Sequence, residues 1–179
     1  MAGDFDFINL TPEVRKSMLA EIDQDIAVGP LVFSKRFNDV GTAQYPALLR
    51  EAVTTHDEAW LGNQLQAIGA FVKVEVAAGK ERAVREDAHV LLSQNEFNRF
   101  YFRGLCAHAI SSGQGHVRVY RARHSANPRP ESEAKVNLLL DPRVVLGDLR
   151  SHLATEPEFG MPQIFSGLSL ELTAHADSL

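Results

Sequence analysis

Glu133-Ala134-Lys135 is the one short pattern in this chain that matches a known catalytic arrangement. Residues two apart on a strand face the same side, so Glu133 could hold a magnesium ion while Lys135 steadies an attacking water, as in nucleases built on a Glu-x-Lys strand. The second acid would come from upstream, at Glu86 or Asp87. An acid and a lysine two apart also arise readily by chance, and the plainer reading is a solvent-facing ion pair. The seven histidines, at 56, 89, 108, 116, 124, 152 and 174, form no zinc-protease pair and stand at no metal spacing with cysteine. Cys106 and His108, two apart on a helix, fall on different faces, so Cys106 reads as a buried structural thiol. There is no phosphate-cradling glycine loop and no serine nucleophile elbow. Gly113-Gln114-Gly115 is too short for a dinucleotide fingerprint and follows a helix rather than a strand. The sequence therefore assigns no catalytic, cofactor-binding or metal-ligating residue.

Arginine supplies the second kind of chemistry. From Arg99 to Arg129 the chain carries Arg99, Arg103, Arg118, Arg121, Arg123 and Arg129 without a single acid, whereas Glu13 to Asp25 is acidic. Arg118 shares a strand face with Tyr120, and Arg121 and Arg123 extend the opposite face. Arginine beside an aromatic ring suits single-stranded nucleic acid, though a strand of this kind is more often an edge between subunits. The residues singled out as interface or phosphate contacts are Arg99, Arg103, Arg118, Tyr120, Arg121, Arg123, Phe5 and Phe7.

The elements that must position these groups follow from periodicity. Residues 4–9 read as a short strand or arm. Thr11-Pro12 opens a helix over 12–27, with Val14, Met18, Ile22 and Ile26 inward, acids outward, and Gly29-Pro30 as its end. Residues 31–33 make a brief strand or an anchored loop. A second helix is expected over 42–54 with Pro46 near its first turn. A third starts at a Thr55–Glu58 capping box and turns Trp60, Leu61, Leu65 and Ile68 to the core. Residues 71–76 alternate as a half-buried strand with Val72, Val74 and Val76 on one face, and 83–92 contain its hairpin partner. A central helix runs from Ser93, boxed with Glu96, to Ser111-Ser112-Gly113. It is apolar round most of its girth, with a polar stripe at Asn95, Arg99 and Arg103. Strands follow at 116–123 and 134–140, a helix opens at Asp141-Pro142, and 155–165 form a loop. A last strand over 166–173 carries Leu168, Leu170 and Leu172 on one face, and 174–179 are a tail.

This order predicts an α+β fold: a small mixed or antiparallel sheet packed against a central helix and a helical N-terminal part. It fits a single domain over 1–179 with extended terminal arms and a sub-boundary near residue 70. The 179 residues, 45% apolar and 23% charged, can build a core without disulfides or metal. A lone cysteine excludes an internal disulfide and fits a reducing compartment. No apolar run is long enough for a membrane span, and the acidic N-terminus is unlike a secretory signal. The Asn9-Leu10-Thr11 sequon is read as irrelevant on that ground. A net charge of −5 argues against general nucleic-acid binding, and the uneven charge favours association with copies of the chain or with an oppositely charged partner.

The blocks FNRFYFRGLCAHAI, VYRARHSANPRPESEAKV and FSGLSLEL resemble an uncharacterised group of bacterial and phage-borne proteins encoded near phage head genes. The resemblance spans roughly residues 10–60 and 94–173, fits least over 71–92, and carries no known catalytic residue. It implies a virion structural protein, capsid-associated or at the head–tail neck, assembled in the bacterial cytoplasm. Its partners would be other virion proteins and copies of itself, with no membrane and no cofactor. Phe5, Phe7 and the C-terminal leucines would dock on neighbours. The alternative expectation is a nucleic-acid binder or metal-dependent nuclease using the Arg118–Arg123 strand.

Overall fold

The structure, a computed structural model, describes residues 4–29, 31–153 and 166–173. The loop expected at 155–165 and the tail at 174–179 lie outside the described residues, as does Pro30. The fold is α+β. Six helices and two small antiparallel sheets are described, and the N-terminal helices pack on a long central helix.

Helix α1 spans Pro12–Val28. Thr11 caps it, its hydroxyl accepting from the Val14 amide at 3.3 Å, and Gly29 ends it at φ 89°. Helix α2, Asp39–Thr55, starts before the expected 42 because Asn38 is a better cap, accepting from the Gly41 amide at 2.9 Å. Pro46 thus lies inside the helix rather than in its first turn, and its missing N–H removes one ladder bond. Helix α3, Glu58–Ala67, is capped by Asp57, which accepts from the Trp60 amide at 2.8 Å. The Thr55–Glu58 box does not form, because Glu58 turns away to the amide of Phe5 at 3.1 Å.

Strands β1, Val74–Ala77, and β2, Lys80–Ala83, make a separate two-stranded hairpin. Ala78 and Gly79 both take positive φ, 51° and 73°, as a two-residue turn between right-twisted strands demands. The half-buried strand expected here is corrected: Val74 is 51% and Val76 73% exposed. The partner strand lies at Lys80–Ala83 and shares only Ala83 with the expected 83–92, the second half of which already belongs to the central helix.

That helix, α4, spans Ala88–Ser111, 24 residues. Ser93 is therefore not its cap. The Ser93 side chain is buried and donates to the Val90 carbonyl at 3.0 Å. Aromatic and aliphatic residues on three sides let α4 pack on α1, α3, α6 and the sheet. At Gly104 the crossing with α1 is so close that a Cβ would stand 2.4 Å from Met18 Cγ.

Strand β3, Val117–Arg121, buries Val117 and Val119 as expected. Pro130–Glu133 form a short helix, α5, and the turn that follows it takes up residues 134–137 of the strand expected over 134–140, so only Leu139–Leu140 remain as β4. Helix α6, Pro142–Ser151, is capped by Asp141. Strand β5, Leu168–Leu172, pairs antiparallel with β3, giving the order β4-β3-β5. Leu168 and Leu170 are fully buried, so these C-terminal leucines fill the chain's own core instead of docking on a neighbour.

Candidate functional site

The acid run and the arginine run meet inside the molecule. Arg103, expected on a polar stripe, is 1% exposed. Its Nε donates to Glu21 at 2.9 Å, and its two terminal nitrogens donate to Asp25 at 2.6 and 2.9 Å. Arg150 from α6 closes the cluster, donating to Glu21 at 2.5 and 3.1 Å. Burial pushes the Glu21 carboxyl up, and the Arg150 and Arg103 guanidiniums pull it below its ordinary value. The expectation that the acids of α1 face outward is corrected for Glu21 and Asp25. Val14, Met18, Glu21, Ile22 and Asp25 form its buried stripe, while Ile26 is 40% exposed. Spacings of four, three and four along 14, 18, 21 and 25 were the legible signal.

Beside this cluster lie Arg99, Glu96 and Tyr45. Arg99 donates to the His152 carbonyl, and burial lowers its pKa. Burial raises Glu96, with Arg99 opposing. The Tyr45 hydroxyl lies beside Glu96, but no hydrogen bond of good geometry closes there, and burial drives that phenol well up.

The other arginines are engaged within the chain. Arg118 pairs with Glu171, its direct cross-strand neighbour. Arg121 donates to the Ser166 carbonyl at 3.0 Å and pairs with Glu133. Arg123 donates to Gln94 at 2.7 Å and lies over the Phe5 ring, 5.4 Å from its centroid. Phe5 stacks on Phe7, and Phe7 packs against Phe97 and Tyr101. Tyr120 donates to the Asp6 carbonyl and accepts from the Ile8 amide at 3.3 Å. Burial pushes this phenol up to about 12. Residues 4–10 are therefore fastened to their own chain at both rings and backbone.

The Glu-x-Lys pattern does not lie on a strand. Glu133 ends helix α5 and Lys135 sits in the turn after it, so the two do not share a strand face. Asp87 is paired with Arg85 at 2.7 and 2.8 Å. Among the described residues no three acid, histidine or cysteine side chains come together as a metal site. Cys106 is buried, and burial drives its thiol up.

Two features escaped the sequence. The first is a cleft of about 680 Å³ between the N-terminal segment and the corner joining α2 to α3. Asp4, Asp6, Phe7, Arg15, Asp57, Glu58, Trp60 and Asn63 are among its lining residues. A smaller recess of about 190 Å³ shares Asp4, Glu58 and Asn63 and reaches Ser93 and Gln94 on α4. Glu58 is 1% exposed; one carboxyl oxygen takes the Phe5 amide, and Oε2 has no partner among the described residues. Burial raises its pKa, the Phe5 amide offsets part of this, and Asp57 and Asp4 add to the rise. Nothing local marks Glu58 as buried, since its burial depends on a segment more than fifty residues earlier.

The second is the exposure of Val74 and Val76 on the β1–β2 hairpin, a hairpin that the alternation announced but with one face half-buried. Arg36 holds the hairpin at one point, donating twice to Glu75 at 2.6 and 3.0 Å. Comparison with protein-family models, curated proteins and solved structures finds no match to this chain.

Proposed function

We propose that this chain is a virion structural protein, capsid-associated or at the head–tail neck, that works through protein–protein contacts made by the β1–β2 hairpin. The observation that carries this reading is the exposure of Val74 and Val76 on a two-stranded hairpin with open edges. Two strands alone are marginally stable in water, and exposed valines beside unpaired backbone groups gain from a further strand or an apolar partner surface. The resemblance of the flanking blocks to proteins encoded near phage head genes supplies the setting, with assembly in the bacterial cytoplasm and other virion proteins or copies of the chain as partners.

Mass photometry of the full chain, alone and with purified capsid and neck components, tests this. The native chain is expected to self-associate or to bind a component. A Val74→Ser/Val76→Ser variant should lose that association with its melting temperature within about 4 °C of the native value, since each exposed substitution shifts stability by roughly 0.5 kcal/mol or less. A native chain that stays monomeric and binds none of the components refutes the reading.

A further inference from the structure

We propose that the cleft between the N-terminal segment and the α2–α3 corner binds an organic cation, a guanidinium or primary ammonium group, with Glu58 as its principal acceptor. In its ionised form Glu58 only accepts hydrogen bonds, so the unpartnered Oε2 of this nearly fully buried side chain in the cleft wall selects a ligand bearing N–H groups, and a cation there favours that ionised form against the burial and neighbouring acids that raise its pKa. A buried acceptor without a donor is a standing cost that such a ligand removes.

The surroundings choose a charged donor over a neutral one. Asp4, Asp6 and Asp57 line the same cleft. Among the described lining residues Arg15 is the only arginine or lysine, and its Nη1 is turned to the Ala52 and Val53 carbonyls at 3.4 and 2.9 Å. Trp60 adds an aromatic wall stiffened by stacking on His56, centroids 4.3 Å apart and planes within 7°. An indole beside carboxylates is a favourable surface for a guanidinium or ammonium group. The volume is that of an ordinary small-molecule or side-chain pocket. The hairpin is not part of the lining, so this site and the proposed contact element fail separately.

Trp60 is the sole tryptophan, so its fluorescence reports on the cleft. Full-length protein is titrated with agmatine, with butylammonium and with uncharged n-butylurea. The expected result is a saturable change with the cations, none with butylurea, and at least tenfold weaker binding in Glu58→Gln. Asn63→Lys, at an exposed lining position, should weaken binding similarly by placing a competing ammonium at the mouth while leaving the buried carboxyl intact. Circular-dichroism melts check that both variants fold, and if Glu58→Gln does not, Asn63→Lys decides. A Gly-Arg-Gly peptide that binds more tightly than agmatine assigns the cation to a partner's side chain, and the reverse order assigns it to a free amine. No saturable change, an equal response to butylurea, or native-like binding by the folded variants overturns the proposal.

Discussion

Replacing Arg103 with methionine should be among the most damaging single changes available to this chain, and its damage should depend on pH. The side chain is 1% exposed and bonded to both Glu21 and Asp25, whose side chains are 5% and 6% exposed. Methionine fills most of the volume but leaves Asp25 without its two-pronged partner and Glu21 with Arg150 alone. Removing one side of a buried ion pair costs about 3–5 kcal/mol, because the remaining charge stays desolvated. Against a typical total of about 5–15 kcal/mol, that is roughly a fifth of the stability at the least. Urea unfolding followed by circular dichroism at neutral pH reads it directly. The triple variant Glu21→Leu/Asp25→Leu/Arg103→Met removes the charges together, leaving only the partly exposed Arg150 to turn outward, and should recover most of the loss. Glu21 has a folded-state pKa below its unfolded value, so its stabilisation is present above the unfolded pKa and is lost as pH falls through the folded one. Without Arg103 that depression shrinks, so the difference between native and Arg103→Met should narrow on going from pH 7 to about pH 4. A single-variant cost below about 1 kcal/mol, or a triple variant no more stable than the single, would refute the reasoning.

Two further substitutions test the packing around α4. Gly104→Ala would gain about 1 kcal/mol from helix propensity alone. Its Cβ would stand 2.7 Å from the Met18 amide nitrogen and 2.9 Å from its Cα, backbone atoms that cannot swing aside, so a net loss of about 2 kcal/mol in urea unfolding is expected. Asn98 links α4 to β5, donating to the Leu168 carbonyl at 2.9 Å and accepting from the Ser169 hydroxyl at 2.8 Å. Asn98→Leu strands both buried partners and should cost at least about 2 kcal/mol, with partial recovery in Asn98→Leu/Ser169→Ala.

The α+β class, the caps at Thr11 and Asp141, the β3 strand and the close of α4 before Gly113 were legible because each is set by neighbours a few residues away. Local signals misled where two competed. Ser93–Glu96 and Thr55–Glu58 both satisfy the capping-box pattern, yet α4 begins at Ala88 and α3 is capped by Asp57. Glu58 is drawn to the Phe5 amide, and Ser93 already lies inside the helix, where its hydroxyl donates to the Val90 carbonyl instead of capping. The Glu-x-Lys pattern failed for a different reason. Pro130 starts a short helix that ends at Glu133, and the turn after it holds Lys135, so the extended backbone that the pattern needs is absent.

Composition and periodicity by themselves determined that this chain builds a core around residues 93–111, and that acids and arginines lie in separate stretches of sequence. Only the tertiary structure decided what the separation is for. Packing α1 against α4 brings Glu21 and Asp25, 82 and 78 residues before Arg103, into a dry contact, and the arginines in and just after β3 find their own carboxylate or amide partners. The same packing folds the N-terminal phenylalanines over α4 and leaves Val74 and Val76 in water. Sequence pattern reports which side of an element is apolar; whether a charge on that element meets solvent, a counter-charge or a cleft depends on what the fold lays against it.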